Sequence, residues 1–223
     1  MAVREAVSSA AESMDRMYRY QRLVYDLTRK YYLLGRDRLI SGLDAKADGK
    51  ILEIGCGTAR NLIFAAKCFP DSEFFGVDIS QEMLATAGRN IAREKLDDAI
   101  TIACGDAASF DPKSLFGVER FDRIFISYSL SMIPAWRQVI ERAVTMLASH
   151  GELHIVDFGD QRRLPRFFAR SLTGWLKLFH VTPRMDLEIQ LRMIAEAHVA
   201  DIRFTRPFRG YAQYAVMRLA AAA

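Results

Sequence analysis

Apolar and polar positions along this chain fall into one helical stretch, then short apolar runs alternating with amphipathic ones, then two strand-like runs in quick succession. Over residues 13 to about 43, Met14, Met17, Leu23, Tyr25, Leu27, Tyr32 and Leu33 are spread around a basic surface. That pattern predicts helix, with Gly35 placed to break it in two. A polar link at 44–50 leads to a first strand at 50–55 and a helix at 58–69 that Pro70 ends. The second strand is predicted at 73–78. The next helix starts at about Ser80, whose hydroxyl suits the cap while Glu82 suits the first turn. Third and fourth strands follow at 99–104 and 121–127. A helix opened by Pro134 runs to about residue 149, and a fifth strand occupies 151–158.

Strands separated by helices at this spacing imply right-handed crossovers. The predicted fold class is α/β, a doubly wound, mostly parallel seven-stranded sheet. The end differs. Residues 199–205 and 211–219 are strand-like, but only Arg206 to Gly210 separates them, too few for a crossover helix, so they predict an antiparallel C-terminal hairpin at the sheet edge. The chain thus reads as one domain, with a helical cap over 1–44, a core over 50–160, a basic aromatic helical insertion over 161–190 and the hairpin over 198–219.

With 223 residues, 51% hydrophobic and 26% charged, the chain can bury a sizeable core and is not of disordered composition. Its longest charge-free run, 124–136, has 13 residues and contains Pro134, short of the roughly 20 needed to span a bilayer. Glu5, Glu12 and Asp15 interrupt any signal pattern at the start. Cys56, Cys68 and Cys104 form no CxxC and read as reduced thiols, so a cytoplasmic protein is expected. No Cys, His and Asp cluster has metal-ligand spacing, and no metal is expected.

Net charge is +4, and its distribution says more than its total. From Gln161 to Arg184 lie six basic residues, Arg162, Arg163, Arg166, Arg170, Lys177 and Arg184, and no acid. Interleaved with Phe167, Phe168, Trp175, Leu178 and Phe179, they predict contact with an anionic membrane surface, peripherally on the inner face of the cytoplasmic membrane. Each cation near such a surface contributes about 1 kcal/mol. Arg163, Arg166, Arg170, Trp175 and Lys177 are the candidate contacts. An ordinary helix with a buried aromatic face and a solvated basic one fits the same composition.

Candidate chemistry begins at Glu53-Ile-Gly55-Cys-Gly57-Thr-Ala-Arg-Asn61, where the first strand meets the first helix of the sheet. Two glycines allow a tight turn with bare backbone against a ligand, and the following helix offers unpaired N–H groups. Asp78 closes the next strand, 23 residues after Gly55, where a carboxylate can accept hydrogen bonds from both ribose hydroxyls. Gly105-Asp106-Ala107 follows the third strand, where an acid can meet an adenine amino group. Both acids also suit helix caps, and the glycine turn also serves geometry alone. Arg60 stands where a dinucleotide fingerprint has Gly or Ala, and no Walker lysine follows, so a pyrophosphate ligand is disfavoured.

Ile51-Leu-Glu-Ile-Gly-Cys-Gly57, Phe75-Gly-Val-Asp78-Ile-Ser and Cys104-Gly-Asp106-Ala resemble the first three motifs of class I S-adenosylmethionine-dependent methyltransferases, whose fold is Rossmann-like. The resemblance implies S-adenosyl-L-methionine as cofactor, with its methionine part near the backbone of Gly55 and Gly57. It places ribose on Asp78 and adenine near Ile79, Asp106 and Ala107. Glu53, Asn61, Met83, Ser127 and Arg36 complete the candidate cofactor-binding set. That family often has glycine where Ala59 stands, and a methyl group there is tolerated if the backbone is helical.

The flanks are similar to a narrower group. Tyr18-Arg-Tyr-Gln-Arg22, the run from Tyr25 through Arg29 and Tyr32 to Arg36, and Phe179-His-Val-Thr-Pro-Arg184 resemble betaine-lipid methyltransferases. Those enzymes add three methyl groups to the amine of diacylglycerylhomoserine. They are related to bacterial phosphatidylethanolamine N-methyltransferases and, more distantly, to quinone C-methyltransferases. The expected function is successive N-methylation of that lipid amine. The alternatives are phosphatidylethanolamine, a quinone or other small acceptor methylated on carbon or oxygen, and a non-catalytic cofactor- or lipid-binding module. Tyr128, Tyr25 and Tyr32 are candidates for an aromatic cage around the forming ammonium, though each also suits a core position. Arg29 and Arg36 suit a carboxylate. His154 reads as a core or near-site histidine and His180 as a proton-relay candidate. No nucleic acid partner is expected, because Ser127-Tyr-Ser-Leu lacks the Pro-Pro-aromatic run by which many base N-methyltransferases hold a flipped base.

Overall fold

The structure, a computed structural model, describes residues 33–179 and 181–220. Among these described residues one sheet contains β1 (Lys50–Ile54), β2 (Glu73–Asp78), β3 (Ile100–Cys104), β4 (Phe121–Ser127), β5 (Leu147–Phe158), β6 (Ala200–Thr205) and β7 (Ala212–Leu219). Its spatial order is β3-β2-β1-β4-β5-β7-β6. The first five pair in parallel, and β7 enters antiparallel between β5 and β6. The doubly wound sheet and the C-terminal hairpin expected from the chain are therefore both present.

Helices α1 (Arg36–Ser41), α2 (Arg60–Cys68), α3 (Gln81–Arg93) and α6 (Arg166–Leu178) contribute to one face. On the other face pack α4 (Pro112–Phe116), α5 (Trp136–Thr145) and α7 (Leu187–Ala197). Strand periodicity divides the core accordingly. Ile51 and Phe125 join the first layer with Leu39, Leu62 and Ala87, while Leu52, Ile54, Ile124 and Ile126 join the second with Trp136, Ile140 and Leu191. Central strands covered on both faces read as continuous apolar runs, which is why β1 and β4 are so plain in the sequence.

Several boundaries differ from expectation. α5 starts at Trp136 and ends at Thr145, so neither Pro134 nor residues 146–149 are helical. The chain reverses at once, and β5 begins at Leu147 instead of 151. Phe121 pairs with Leu147, then the register shifts before Arg123 pairs with Glu152. His150 takes a left-handed φ of 60° in this reversal, and a Cβ on Gly151 would lie 2.8 Å from the Ala148 carbonyl oxygen. Helices α4 and α7 are not among the elements the sequence pattern predicts. α4 is a single turn capped by Asp111, whose carboxylate accepts the Ser114 N–H at 3.0 Å. α7 divides off the end of the expected 161–190 insertion and buries Leu187, Leu191 and Ile194 in the core. Residues 33–35 are not helical, and α1 begins directly after Gly35, at φ 91°. The rest of the expected N-terminal helix lies outside the described residues.

One buried acid is held across three strands. Glu152 on β5 faces Arg123 of β4 and Arg218 of β7 in register. Its carboxylate lies 2.9 Å from His154 Nε2 and 3.5 Å from Arg123 Nε, and Arg218 also binds it. His154 is thus a buried core histidine, one of the two places its sequence context allows. The hydrogen bond with His154 lowers the Glu152 pKa first, burial opposes it, and Arg218 and Arg123 lower it further, to about 2. A depressed carboxyl pKa stabilises the fold fully at neutral pH and loses that contribution as pH falls towards the folded value. Urea midpoints should therefore drop between about pH 4.5 and 2. Glu152→Gln should flatten that drop and cost about 2–3 kcal/mol at pH 7 in the same titration.

Candidate active site

The chain leaves β1 at Ile54 and bends into α2 through Gly55 and Gly57, at φ 76° and 54°. A Cβ on Gly55 would stand 2.6 Å from the Ser129 Cβ, so only glycine lets the bend lie against the loop after β4. The N–H groups of Gly55 and Cys56 both donate to the Val77 carbonyl, at 2.8 and 3.1 Å. The Gly57 N–H donates to the Asp78 carboxylate at 2.8 Å. Glu53, buried on β1, accepts from Asn61 Nδ2 at 2.7 Å across the start of α2. Ser127 ends β4, and its hydroxyl is buried with no hydrogen-bond partner among the described residues. Arg36 of α1 donates from Nε to the Leu33 carbonyl at 3.3 Å and is mostly buried. Six of the expected cofactor residues, Glu53, Gly55, Gly57, Asn61, Ser127 and Arg36, thereby line one crevice.

The remaining five stand along successive strand ends outside that inner crevice. Asp78 is half-buried, and its second oxygen accepts the Ser80 N–H at 2.9 Å, so two backbone donors orient the carboxylate. Ile79 beside it is 72% exposed, a large apolar side chain open to a flat ring. Met83 sits in the first turn of α3, its N–H donating to Ser80 Oγ at 3.3 Å, which is the expected cap. The Gly105 N–H donates to the Asp78 carbonyl at 3.0 Å and holds Asp106 and Ala107 next to β2. Asp106 is exposed and accepts the Ala108 N–H at 2.9 Å, which braces the turn at 107–109; it caps no helix, because α4 begins at Pro112 behind Asp111.

Other expectations need correction. Tyr128 is fully buried, with φ 55°. Its ring packs edge-on against Phe158 at 4.7 Å, and its hydroxyl donates to the Leu34 carbonyl at 2.6 Å. Burial, then Tyr211 and Asp157, push its phenol well above the usual range. Tyr128 is therefore no open cage face. It is a positioning residue that ties the segment before Arg36 to the end of β4. Ala59 also departs from expectation, because its backbone is left-handed (φ 61°, ψ 19°) where a helical one is expected. A non-glycine residue there costs roughly 1 kcal/mol, which explains why glycine suits the position. Trp175 and Phe179 do not project outward. Their rings meet at 4.9 Å and pack against the core, while Arg163, Arg166, Arg170 and Lys177 are exposed as expected. Tyr25, Tyr32, Arg29 and His180 lie outside the described residues.

Two neighbours of the crevice are not singled out by the sequence. Cys56 lines it, but burial first, then Glu53 and Asp78, push its thiol up, which makes it a poor nucleophile. Asp157 is fully buried at the end of β5 and accepts N–H groups from Phe158 at 2.7 Å and Ser131 at 2.9 Å. Burial raises its pKa despite these bonds. Together with Arg184, which donates to the carbonyls of Leu130 and Ile133, it props the loop that presses on Gly55. The available signal is an acid at the carboxyl end of its strand, directly after the apolar pair Ile155-Val156, as Asp78 stands directly after Val77.

Comparison with known proteins agrees with this geometry. Residues 51–151 match the family described as "Methyltransferase domain". The chain is 23% identical over 206 residues to demethylmenaquinone methyltransferase of Listeria monocytogenes, covering 89% of this chain and 79% of that one. It is 27% identical over 219 residues to the tRNA1(Val) (adenine(37)-N6)-methyltransferase of Porphyromonas gingivalis, covering 86% and 85%. Another relative is much longer, and its match spans 34% of that protein. An S-adenosylmethionine-dependent methyltransferase from Aquifex aeolicus shares the fold with a TM-score of 0.59 at 14% identity, over 86% of this chain and 92% of that one.

The residues present fit S-adenosylmethionine. The backbone of Gly55 and Gly57 lines the crevice where the methionine part would lie, and the buried Ser127 hydroxyl lies unpartnered among the described residues in the same crevice. Asp78 is oriented for vicinal hydroxyls and Arg36 is suited to a carboxylate. Asp78→Ala should weaken S-adenosylhomocysteine binding at least tenfold by calorimetry, since it removes two acceptors worth about 1.4 kcal/mol or more. Tyr128→Phe leaves the Leu34 carbonyl without its donor and should lower stability by about 1–2 kcal/mol, read as a reduced thermal midpoint.

Proposed function

We propose that this chain, a class I S-adenosylmethionine-dependent methyltransferase, methylates the amine of a lipid head group, and that its acceptor is diacylglycerylhomoserine, converted stepwise to a betaine lipid. The observation that carries this reading is α6. An acid-free basic helix joins, through Leu172 and Leu176, the same core cluster as Tyr128 and Phe158, side chains at the strand ends that bound the crevice. The likeness of the flanking runs to betaine-lipid methyltransferases supports the particular head group.

S-adenosylmethionine supplies a methyl group on positively charged sulfur, already activated for displacement. The acceptor's nitrogen lone pair would take up that methyl group with loss of the amine proton to solvent, leaving S-adenosylhomocysteine. Gly55 and Gly57 would hold the methionine part, Asp78 the ribose and Arg36 a carboxylate, so the chain contributes mainly positioning. An amine with a lysine-like pKa near 10.4 is mostly protonated at pH 7, which costs about 4.6 kcal/mol. Desolvation at the crevice lowers that pKa and reduces the cost. Each transfer moves the nitrogen towards a permanent cation, and Tyr25 and Tyr32 are the aromatic faces assigned to it here.

A second reading, carbon methylation of a quinone, is favoured by the demethylmenaquinone methyltransferase relative that spans most of the chain. The two readings separate by acceptor. Incubation with S-adenosylmethionine should add one, two and three methyl groups to diacylglycerylhomoserine by mass spectrometry, with initial rate rising with pH above 7 as free amine increases. Product from a demethylated quinone alone would replace this reading with the second. Tight cofactor binding with no product from diacylglycerylhomoserine, phosphatidylethanolamine or quinone would overturn both.

A further inference from the structure

Helix α6 has two faces of different character. Leu172 and Leu176 are buried, and Trp175 and Phe179 turn towards the core beside them. Outward, residues at helical spacing form two adjacent rows. Phe167, Gly174 and Leu178 make one, with Phe167 74% and Leu178 67% exposed. Arg166, Arg170 and Lys177 make the other, all exposed. Of the other basic residues in the segment, Arg163 is exposed and two are engaged. Arg162 pairs with Asp160 at 3.4 Å, and Arg184 donates to the carbonyls of Leu130 and Ile133. The outward row has no acid within the segment to neutralise it.

We infer that this outward face of α6 rests on an anionic bilayer surface, with Phe167 and Leu178 at the acyl boundary and Arg166, Arg170 and Lys177 on lipid phosphates. Large exposed apolar groups beside a row of cations match an interface that offers hydrocarbon and anions side by side. A nucleic acid offers phosphates but no hydrocarbon for Phe167 and Leu178. No described helix is long and apolar enough to cross a membrane, and the contact inferred is that of one helix face. The inference deepens the lipid reading of the function by supplying the surface from which the acceptor is drawn, and it also corrects the choice of inserting residues, away from Trp175 and Phe179.

The test needs no turnover, so its failure is distinct from failure of the acceptor assay. The full chain is sedimented with vesicles of phosphatidylcholine alone and of equal parts phosphatidylcholine and phosphatidylglycerol. Binding is expected on the anionic vesicles only, weakening as salt rises. Phe167→Asp and the triple variant Arg166→Gln, Arg170→Gln, Lys177→Gln should each lower partitioning about tenfold or more, with S-adenosylhomocysteine binding unchanged as proof of folding. In a Phe167→Trp variant, brominated anionic lipid should quench the added indole far more than native Trp136 and Trp175. Equal binding to neutral vesicles, undiminished binding of both variants, or quenching confined to the native tryptophans would overturn the inference. So would a self-associated native chain that Phe167→Asp converts to monomer, because the face would then belong to a second copy.

Discussion

The backbone bend at the end of β1 is the constraint on which the remaining structure depends. Gly55, Cys56 and Gly57 turn their N–H groups onto β2, two onto the Val77 carbonyl and one onto the Asp78 carboxylate. The same three residues thus close the crevice floor and aim the acid at its rim. A left-handed turn in this place needs glycine, and so does the approach of Ser129. The loop carrying Ser129 is in turn propped by Asp157, Arg184 and the Ser129 hydroxyl, which donates to the Ile54 carbonyl at 3.1 Å. Strands β1, β2, β4 and β5 therefore share one set of backbone contacts, and the crevice is where those contacts meet.

Two buried acids on β5 show how burial alone does not decide protonation. Glu152 has cations in register on both neighbouring strands and a histidine within hydrogen-bond distance, and its pKa falls to about 2. Asp157, further along the same strand, has backbone N–H donors and a more remote arginine, and burial raises its pKa. The first fastens the middle of the sheet. The second stands at the strand end beside the crevice and supports its wall. This division matches the general pattern of open α/β sheets, in which the carboxyl edge carries the ligand.

Helix α6 stands between a core layer and the outside. Its inner residues belong to the core layer that also holds Tyr128. The Tyr128 hydroxyl fastens the Leu34 carbonyl, and Leu33 and Arg36 on either side of that point line the crevice. Its outer residues are cationic and apolar in adjacent rows. On the proposed lipid reading, such a helix would hold the chain at the surface from which an acceptor with a long apolar tail and a polar head is drawn.

The chain by itself determined the central strands, the cap at Ser80, the glycine bend with its acid on the next strand, and the terminal hairpin. Each rests on local physics: alternating or continuous burial, a hydroxyl ahead of a helix, missing side chains, and a link too short for a crossover. Tertiary structure decided the rest. The reversal at 146–151, the left-handed backbone at Ala59 and the burial of Tyr128 arise where a neighbour over-rides local preference. Which side of α6 faces inward was equally beyond the reach of composition, because Phe167 and Phe179 are alike as residues. Only the layer of side chains waiting on the sheet distinguishes them.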